Sequence, residues 1–167
     1  MTRTVTDVKV DKDQLLAIVK RAMIRQEVSL QFPDNTFFKP TRAFEEWVAT
    51  LPDDVEVVDC GCGLGKLAKF FSPRHVINID LHTRDNEEPG ICHMDASLYP
   101  FDRGQIVFFA RPCVGEWIDD TAYMALSRGA RVFVATAKDF IVENWKRETV
   151  ALNVGEAGET LWELTGD

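Results

Sequence analysis

At 167 residues the chain is about one domain's worth, long enough to bury roughly two-thirds of its unfolded surface around a single core. With 46% hydrophobic and 28% charged residues it has a globular composition, and no apolar run approaches the ~20 residues a membrane span needs. The net charge of −8 argues against a protein that grips nucleic acid unaided, because phosphate neutralisation calls for a basic face. The opening MTRTVTDVKVDKD does not read as a signal peptide, so the expected compartment is the cytoplasm. Cys60, Cys62, Cys92 and Cys113 are then expected as reduced thiols.

From Asp11 to about Leu30, Leu15, Val19, Ala22 and Met23 recur at helical spacing, with Asp11 or Asp13 able to cap the start. Lys20, Arg21 and Arg25 on that helix read as a solvated face, and Phe32-Pro33-Asp34-Asn35 ends it. A second helix is expected from Thr41 to about Thr50, its stripe formed by Phe44, Trp47, Val48 and Leu51. Beyond Pro52 the pattern alternates between strand and connection. Val55–Asp59 reads as a buried strand, followed by a glycine cluster and a helix through Leu67, Ala68, Phe70 and Phe71. Val76–Asp80, Ile91–Met94, Gln105–Ala110 and Ala130–Thr136 are further strands, with helices over Glu116–Arg128 and Asp139–Arg147. Continuous apolar strands separated by helices point to a parallel sheet. The tail TVALNV, GEAGE, TLWELT reads as an antiparallel hairpin with a Gly-rich turn. The whole is expected as one domain over 1–167, with a helical segment at 1–52 and an α/β core at 53–167.

The central motif is Asp59-Cys60-Gly61-Cys62-Gly63-Leu64-Gly65, directly after a strand and before a helix. Glycines there let the backbone turn and approach a ligand, and a helix start offers free N–H groups. A Walker A loop needs Gly at position 60 and Ser or Thr at 67, where the chain has Cys60 and Leu67. A dinucleotide fingerprint needs Gly or Ala where Lys66 stands.

The pattern Asp-x-Gly-x-Gly-x-Gly resembles that of the class I S-adenosylmethionine (SAM)-dependent methyltransferases, over about residues 36–165. The resemblance implies an open, mostly parallel, seven-stranded Rossmann-like sheet ending in an antiparallel hairpin, with SAM as cofactor. It gives Asp59, Gly61, Gly63 and Gly65 the methionine portion of SAM, Asp80 the ribose hydroxyls and Asp95 the adenine amino group. Phe37-Phe38-Lys39-Pro40-Thr41 is similar to a Phe-x-Thr-Pro segment that contacts the SAM carboxylate in some amino-methyltransferases, which brings in Lys39 and Thr41. The order differs, and the plain alternative is that Thr41 caps its helix.

The chain also departs from that pattern. Where amino-methyltransferases carry Asp/Asn-Pro-Pro-Tyr/Phe it has Ala110-Arg111-Pro112-Cys113, which puts methylation of adenine or glutamine nitrogen in doubt. The Pro-Cys pair is similar to that of cytosine C5-methyltransferases, making Cys113 a candidate nucleophile against its reading as a small buried residue. Arg111 is a candidate for steering an anionic substrate, and Glu116 or Asp119 for accepting a proton. A metal site on Cys60, Cys62, Cys92 and His93 lacks the usual ligand spacing. The connections 81–90 and 95–104 are too short for the helices the family places there, so a sheet face is expected to need another subunit. Two functions are open: a methyltransferase whose acceptor, a small molecule or protein, is unknown, or an inactive methyltransferase-like binding protein.

Overall fold

The computed structural model describes Phe38–Gly166 together with six upstream helical positions, Lys12, Asp13, Leu16, Ala17, Val19 and Lys20. The chain divides into two units, Met1–Asn35 and Thr36–Asp167. In the first, the six described positions are all exposed, Val19 of the expected apolar stripe among them. The rest of that expected helix, with Phe32–Asn35, lies outside the described residues.

In the second unit, helix α1 (Arg42–Thr50) buries Phe44, Trp47 and Val48, as their spacing predicts. The sheet has strands β1 (Val57–Cys60), β2 (Val76–Ile79), β3 (Ile106–Ala110), β4 (Arg131–Thr136), β5 (Arg147–Ala151) and β6 (Thr160–Leu164). Their order is β2-β1-β3-β4-β6-β5. The first four are parallel, and β6 runs antiparallel to both β4 and β5. Val, Ile and Phe dominate β1, β3 and β4 because both faces of those strands are covered. Helix α2 (Glu116–Ser127) lays Ile118, Ala122 and Ala125 on one face, against Val107, Phe109, Val132 and Val134. The other face carries an aromatic cluster in which Phe44 lies 5.4–5.7 Å from Phe38, Trp47, Phe71 and Phe108. Such pairs contribute about 0.5–1.5 kcal/mol each beyond burial.

Four sequence expectations are corrected or narrowed. The sheet has six strands rather than seven. Ile91–Met94 touches β2 only through a single parallel bridge, Ile79↔Cys92, before Asp95 turns the chain into a short 3-10 helix, Ala96–Leu98. The helix expected over Asp139–Arg147 is a three-residue turn, Asp139–Ile141. Strand β5 begins at Arg147, whose guanidinium lies 5.0 Å over the Trp162 ring and donates to the Val142 and Trp145 carbonyls. The helix after the glycine cluster is a six-residue 3-10 helix, Lys66–Phe71, closed by Ser72-Pro73.

The carboxyl ends of β1 to β4 lie along one edge of the sheet. Because β6 runs antiparallel to β4, pairing Thr160 with Thr136, the turn from β5 into β6 lies on that edge too. Pro40 forms an antiparallel bridge with Gly155, which brings the segment before α1 to the same place. Among the described residues no helix is long and apolar enough to cross a membrane.

Candidate functional site

The chain leaves β1 for β2 on one side and returns to β3 on the other, so the sheet order reverses between β1 and β3. The crevice outside the strand ends at such a reversal is where open α/β sheets bind ligands. The loop after β1 fills its floor. Gly61, Gly63 and Gly65 have φ of 72°, 60° and 78°, the left-handed region that favours glycine. The N–H groups of Gly61 and Cys62 donate to the Ile79 carbonyl at 2.8 and 3.0 Å, which ties the loop across the end of β2. Burial pushes the Cys60 and Cys62 thiols well up, so both stay protonated. The six-residue 3-10 helix that follows has little of the aligned dipole a longer α-helix would supply. The ionisable groups at this crevice are instead buried carboxyls and the guanidinium groups paired with two of them.

Asp80, directly after β2, is buried and fully engaged. Its Oδ2 accepts the Gly63 N–H at 2.8 Å and pairs with Arg84 Nη1 at 2.9 Å, and its Oδ1 accepts the His82 N–H at 2.9 Å. His93 stands between the Asp80 carbonyl (3.1 Å) and Glu87 Oε1 (2.8 Å). Two acceptors favour the doubly protonated ring, and the Glu87 carboxylate raises the His93 pKa. The Glu88 N–H donates to the Leu64 carbonyl at 2.8 Å. Residues 84–93 thus fold over the end of β2 and onto the glycine loop.

Asp59, inside β1, is 1% exposed. Burial, with the Asp80 charge adding to it, pushes its carboxyl up to about 7. Its Oδ1 has no hydrogen-bond partner.

Across the crevice, Arg111 follows β3 with φ of 45° and donates its N–H to the Ala135 carbonyl at 2.8 Å. Its Nε lies 3.4 Å from Oε1 of Glu159, a 1% exposed residue neither of whose carboxylate oxygens has a hydrogen-bond partner. Burial lowers the Arg111 pKa, and Glu159 opposes that. Gly155 makes room for the pair, since a Cβ there would collide with Glu159 Oε2. Between the two halves stands Trp117. Its Nε1–H donates to the Cys113 carbonyl at 3.0 Å, and its ring lies 5.5 Å from that of Phe109 in β3. A Cβ on Gly61 would lie 2.9 Å from its Cη2, so the indole spans the crevice from the β3 side to the β1 loop.

No protein-family profile matches the chain, and neither does any curated protein. Solved structures match at low identity. Magnesium protoporphyrin IX methyltransferase from Synechocystis PCC 6803, solved with bound SAM, is similar over 97% of this chain and 87% of its own, with 13% identity and a TM-score of 0.51. The 1,6-didemethyltoxoflavin-N1-methyltransferase of Burkholderia thailandensis, solved with S-adenosylhomocysteine, is similar over 97% and 94%, with 12% identity and a TM-score of 0.54. A ribosomal protein L11 methylase from Lactobacillus delbrueckii subsp. bulgaricus covers 74% of this chain and 77% of its own, at 10% identity and a TM-score of 0.53. The fold is that of the class I SAM-dependent methyltransferases.

Within this methyltransferase fold, the structure groups Asp59, Gly61, Gly63, Gly65 and Asp80 at the crevice. Asp95 is exposed and accepts from Ser97 N and Oγ at 2.9 and 2.8 Å, capping its own turn. Thr41 stands at the N-cap position of α1 without a side-chain cap. Its hydroxyl donates to the Asn153 carbonyl at 2.5 Å, which leaves it only acceptor capacity, while Lys39 is exposed beside it. Cys113 is exposed, correcting its reading as a buried residue, and Glu116 opens α2 on the surface. Arg111 is drawn inward toward Glu159 rather than held out toward solvent. Among the described residues no three His, Cys, Asp or Glu are gathered as a metal site. Sequence reasoning missed Glu159 and Trp117. Glu159 is hidden in a turn, GEAGE, where carboxylates are commonplace. The signal for Trp117 was a large aromatic on the first turn of the helix after β3, which reads equally as core.

Proposed function

We propose that the chain is a SAM-dependent methyltransferase acting on a small molecule or a protein. The observation that carries this reading is a left-handed glycine loop at the sheet's reversal point, flanked by the buried carboxylates of Asp59 and Asp80. These residues fit the cofactor. The unpartnered Oδ1 of Asp59 suits the ammonium of the methionine portion, and the Cβ-free loop admits a ligand backbone beside it. An ionised carboxylate has about four lone-pair sites, and three at Asp80 are in use, so one remains for a ribose hydroxyl and Arg84 can yield another. Leu81, 63% exposed directly after Asp80, offers the purine an apolar surface, with Asp95 for its amino group. Lys39 is the cation offered to the SAM carboxylate, with Thr41 holding the segment to the hairpin turn.

When bound, SAM supplies an electrophilic methyl group on a sulfonium. The chain's part is to align an acceptor with it, and alignment alone supplies much of the acceleration. Glu116 and Asp119, at the start of α2, are the carboxylates offered for the acceptor's proton, and exposed Cys113 is the thiol to test beside them. The net charge of −8 supports an acceptor other than nucleic acid, and four free cysteines support a reducing, cytoplasmic setting.

Calorimetric titration with SAM and with S-adenosylhomocysteine tests the reading. Micromolar binding is expected, weakened at least about tenfold by Asp80→Asn through the loss of one charge-assisted acceptor. Absence of binding at millimolar ligand would overturn it.

A further inference from the structure

The indole of Trp117 has no role in the reading above, yet it occupies the most telling position in the crevice. It reaches across from the first turn of α2, pinned by its Nε1–H to the Cys113 carbonyl and by Phe109 beneath it, and ends against Gly61. The side chain is only partly buried, although its neighbours Phe109 and Ile118 are buried to within 3% of completely. A ring fixed by a hydrogen bond and an aromatic contact, and still partly exposed, is a surface for a ligand.

The groups around it, and where the reading above puts the ammonium and the ribose, say which ligand. Asp59, offered to the ammonium, lies near the end of the strand that leads into Gly61, and Asp80, offered to the ribose and paired with Arg84, is held to Gly63 two residues further on, so the sulfur between them falls beside Gly61, where the ring ends. The six-residue 3-10 helix after the loop adds little positive dipole. The negative face of an indole attracts a cation lying within about 6 Å of its centroid.

We propose that Trp117 is a specificity-determining residue that reads the charge on the cofactor's sulfur, favouring the sulfonium of SAM over the neutral thioether of S-adenosylhomocysteine. This rests on the SAM-binding reading. Once the methyl group has left, the sulfur loses its charge and the ring loses its hold, so the spent cofactor is held less tightly than the fresh one.

Calorimetry of the full chain with each ligand separates the possibilities. Trp117→Leu keeps an apolar side chain and removes the ring. It is expected to weaken SAM binding about tenfold and S-adenosylhomocysteine binding by less than about twofold, within the span of a desolvated cation–π contact. Trp117→Phe, which keeps a weaker ring, is expected to fall between, about threefold for SAM alone, and it carries the test if the leucine variant does not fold. Equal weakening of both ligands would overturn the proposal and leave the ring a packing role. Tighter binding of both by the leucine variant would also overturn it, identifying the ring as a plug. If the unaltered chain binds neither ligand, the methyltransferase reading itself falls. If it binds both and the leucine variant changes neither, only the role of Trp117 falls.

Discussion

Asp80 and Glu159 are both carboxylates buried at the carboxyl edge of one sheet, and their surroundings could hardly differ more. Asp80 takes two backbone N–H groups and one guanidinium, all at 2.8–2.9 Å. Glu159 has one guanidinium nitrogen at 3.4 Å and no hydrogen bond to either oxygen. A buried charge with full partners is a fixed structural element, whereas one with a single long contact is held at a cost in stability. The β1–β2 side of the edge is therefore the preorganised half, and the β3–β6 side is the half under electrostatic load.

The sharpest way to break that contrast is to remove the guanidinium paired with Glu159. Arg111→Met leaves Glu159 buried beside a thioether and is expected to lower stability by about 3–5 kcal/mol, read as a fall in the urea midpoint at unchanged slope. Adding Glu159→Leu should return part of that loss, since two apolar groups can replace a poorly satisfied pair. A double variant as unstable as the single one would show that the carboxylate carries no such load.

A second effect comes from Asp59. Its carboxyl is held up to about 7 in the folded chain, against an ordinary 3.8, so between those values the folded state keeps a proton that the unfolded state has lost. Stability contributed by this group is complete below about pH 4 and falls as pH rises toward 7, by up to about 1.4 kcal/mol per pH unit. Unfolding curves at pH 5, 6 and 7 should show that decline, and Asp59→Asn should flatten it. An unchanged slope in the variant would place the titration elsewhere.

The smallest expected effect sharpens the comparison from outside the edge. Arg131 and Glu163 form two hydrogen bonds at 2.8 and 2.9 Å, better geometry than the Arg111–Glu159 pair, but Arg131 is 54% exposed. Arg131→Met is expected to change stability by less than about 1 kcal/mol, because solvent already serves both groups. Burial, not bond length, ranks the two pairs.

Much of the sheet was legible in the sequence where hydrophobicity alone decides. Strands β1, β3 and β4 are runs of Val, Ile and Phe covered on both faces, and their positions follow from that. The stripe of α1 and the glycine loop, with Asp59 before it and Asp80 after β2, were legible for the same local reason. The reading failed where a segment's state depends on a distant partner. Ile91–Met94 has strand-like residues but only an edge to lean on, and one bridge is all it forms. Asp139–Arg147 has a helical charge pattern, but Trp145 donates to Asp119 Oδ1 at 2.7 Å and Arg147 lies over Trp162, contacts no local propensity encodes. Glu159 and Trp117 became visible only when the topology brought separate strand ends together.

The bridge between Pro40 and Gly155 has a consequence for how the molecule is made. Thr41 N–H donates to Val154 and Glu156 N–H to Lys39, so the segment before α1 is stapled to a turn more than a hundred residues later. Strand β6, latest of the six in sequence, fills an interior slot between β4 and β5. A chain emerging from the ribosome therefore cannot seat β5 in the sheet until β6 is out. Contacts of such long separation form slowly. The far side of the carboxyl edge is thus assembled last, and a chain interrupted within the hairpin turn forfeits the crevice's far wall along with its final strand.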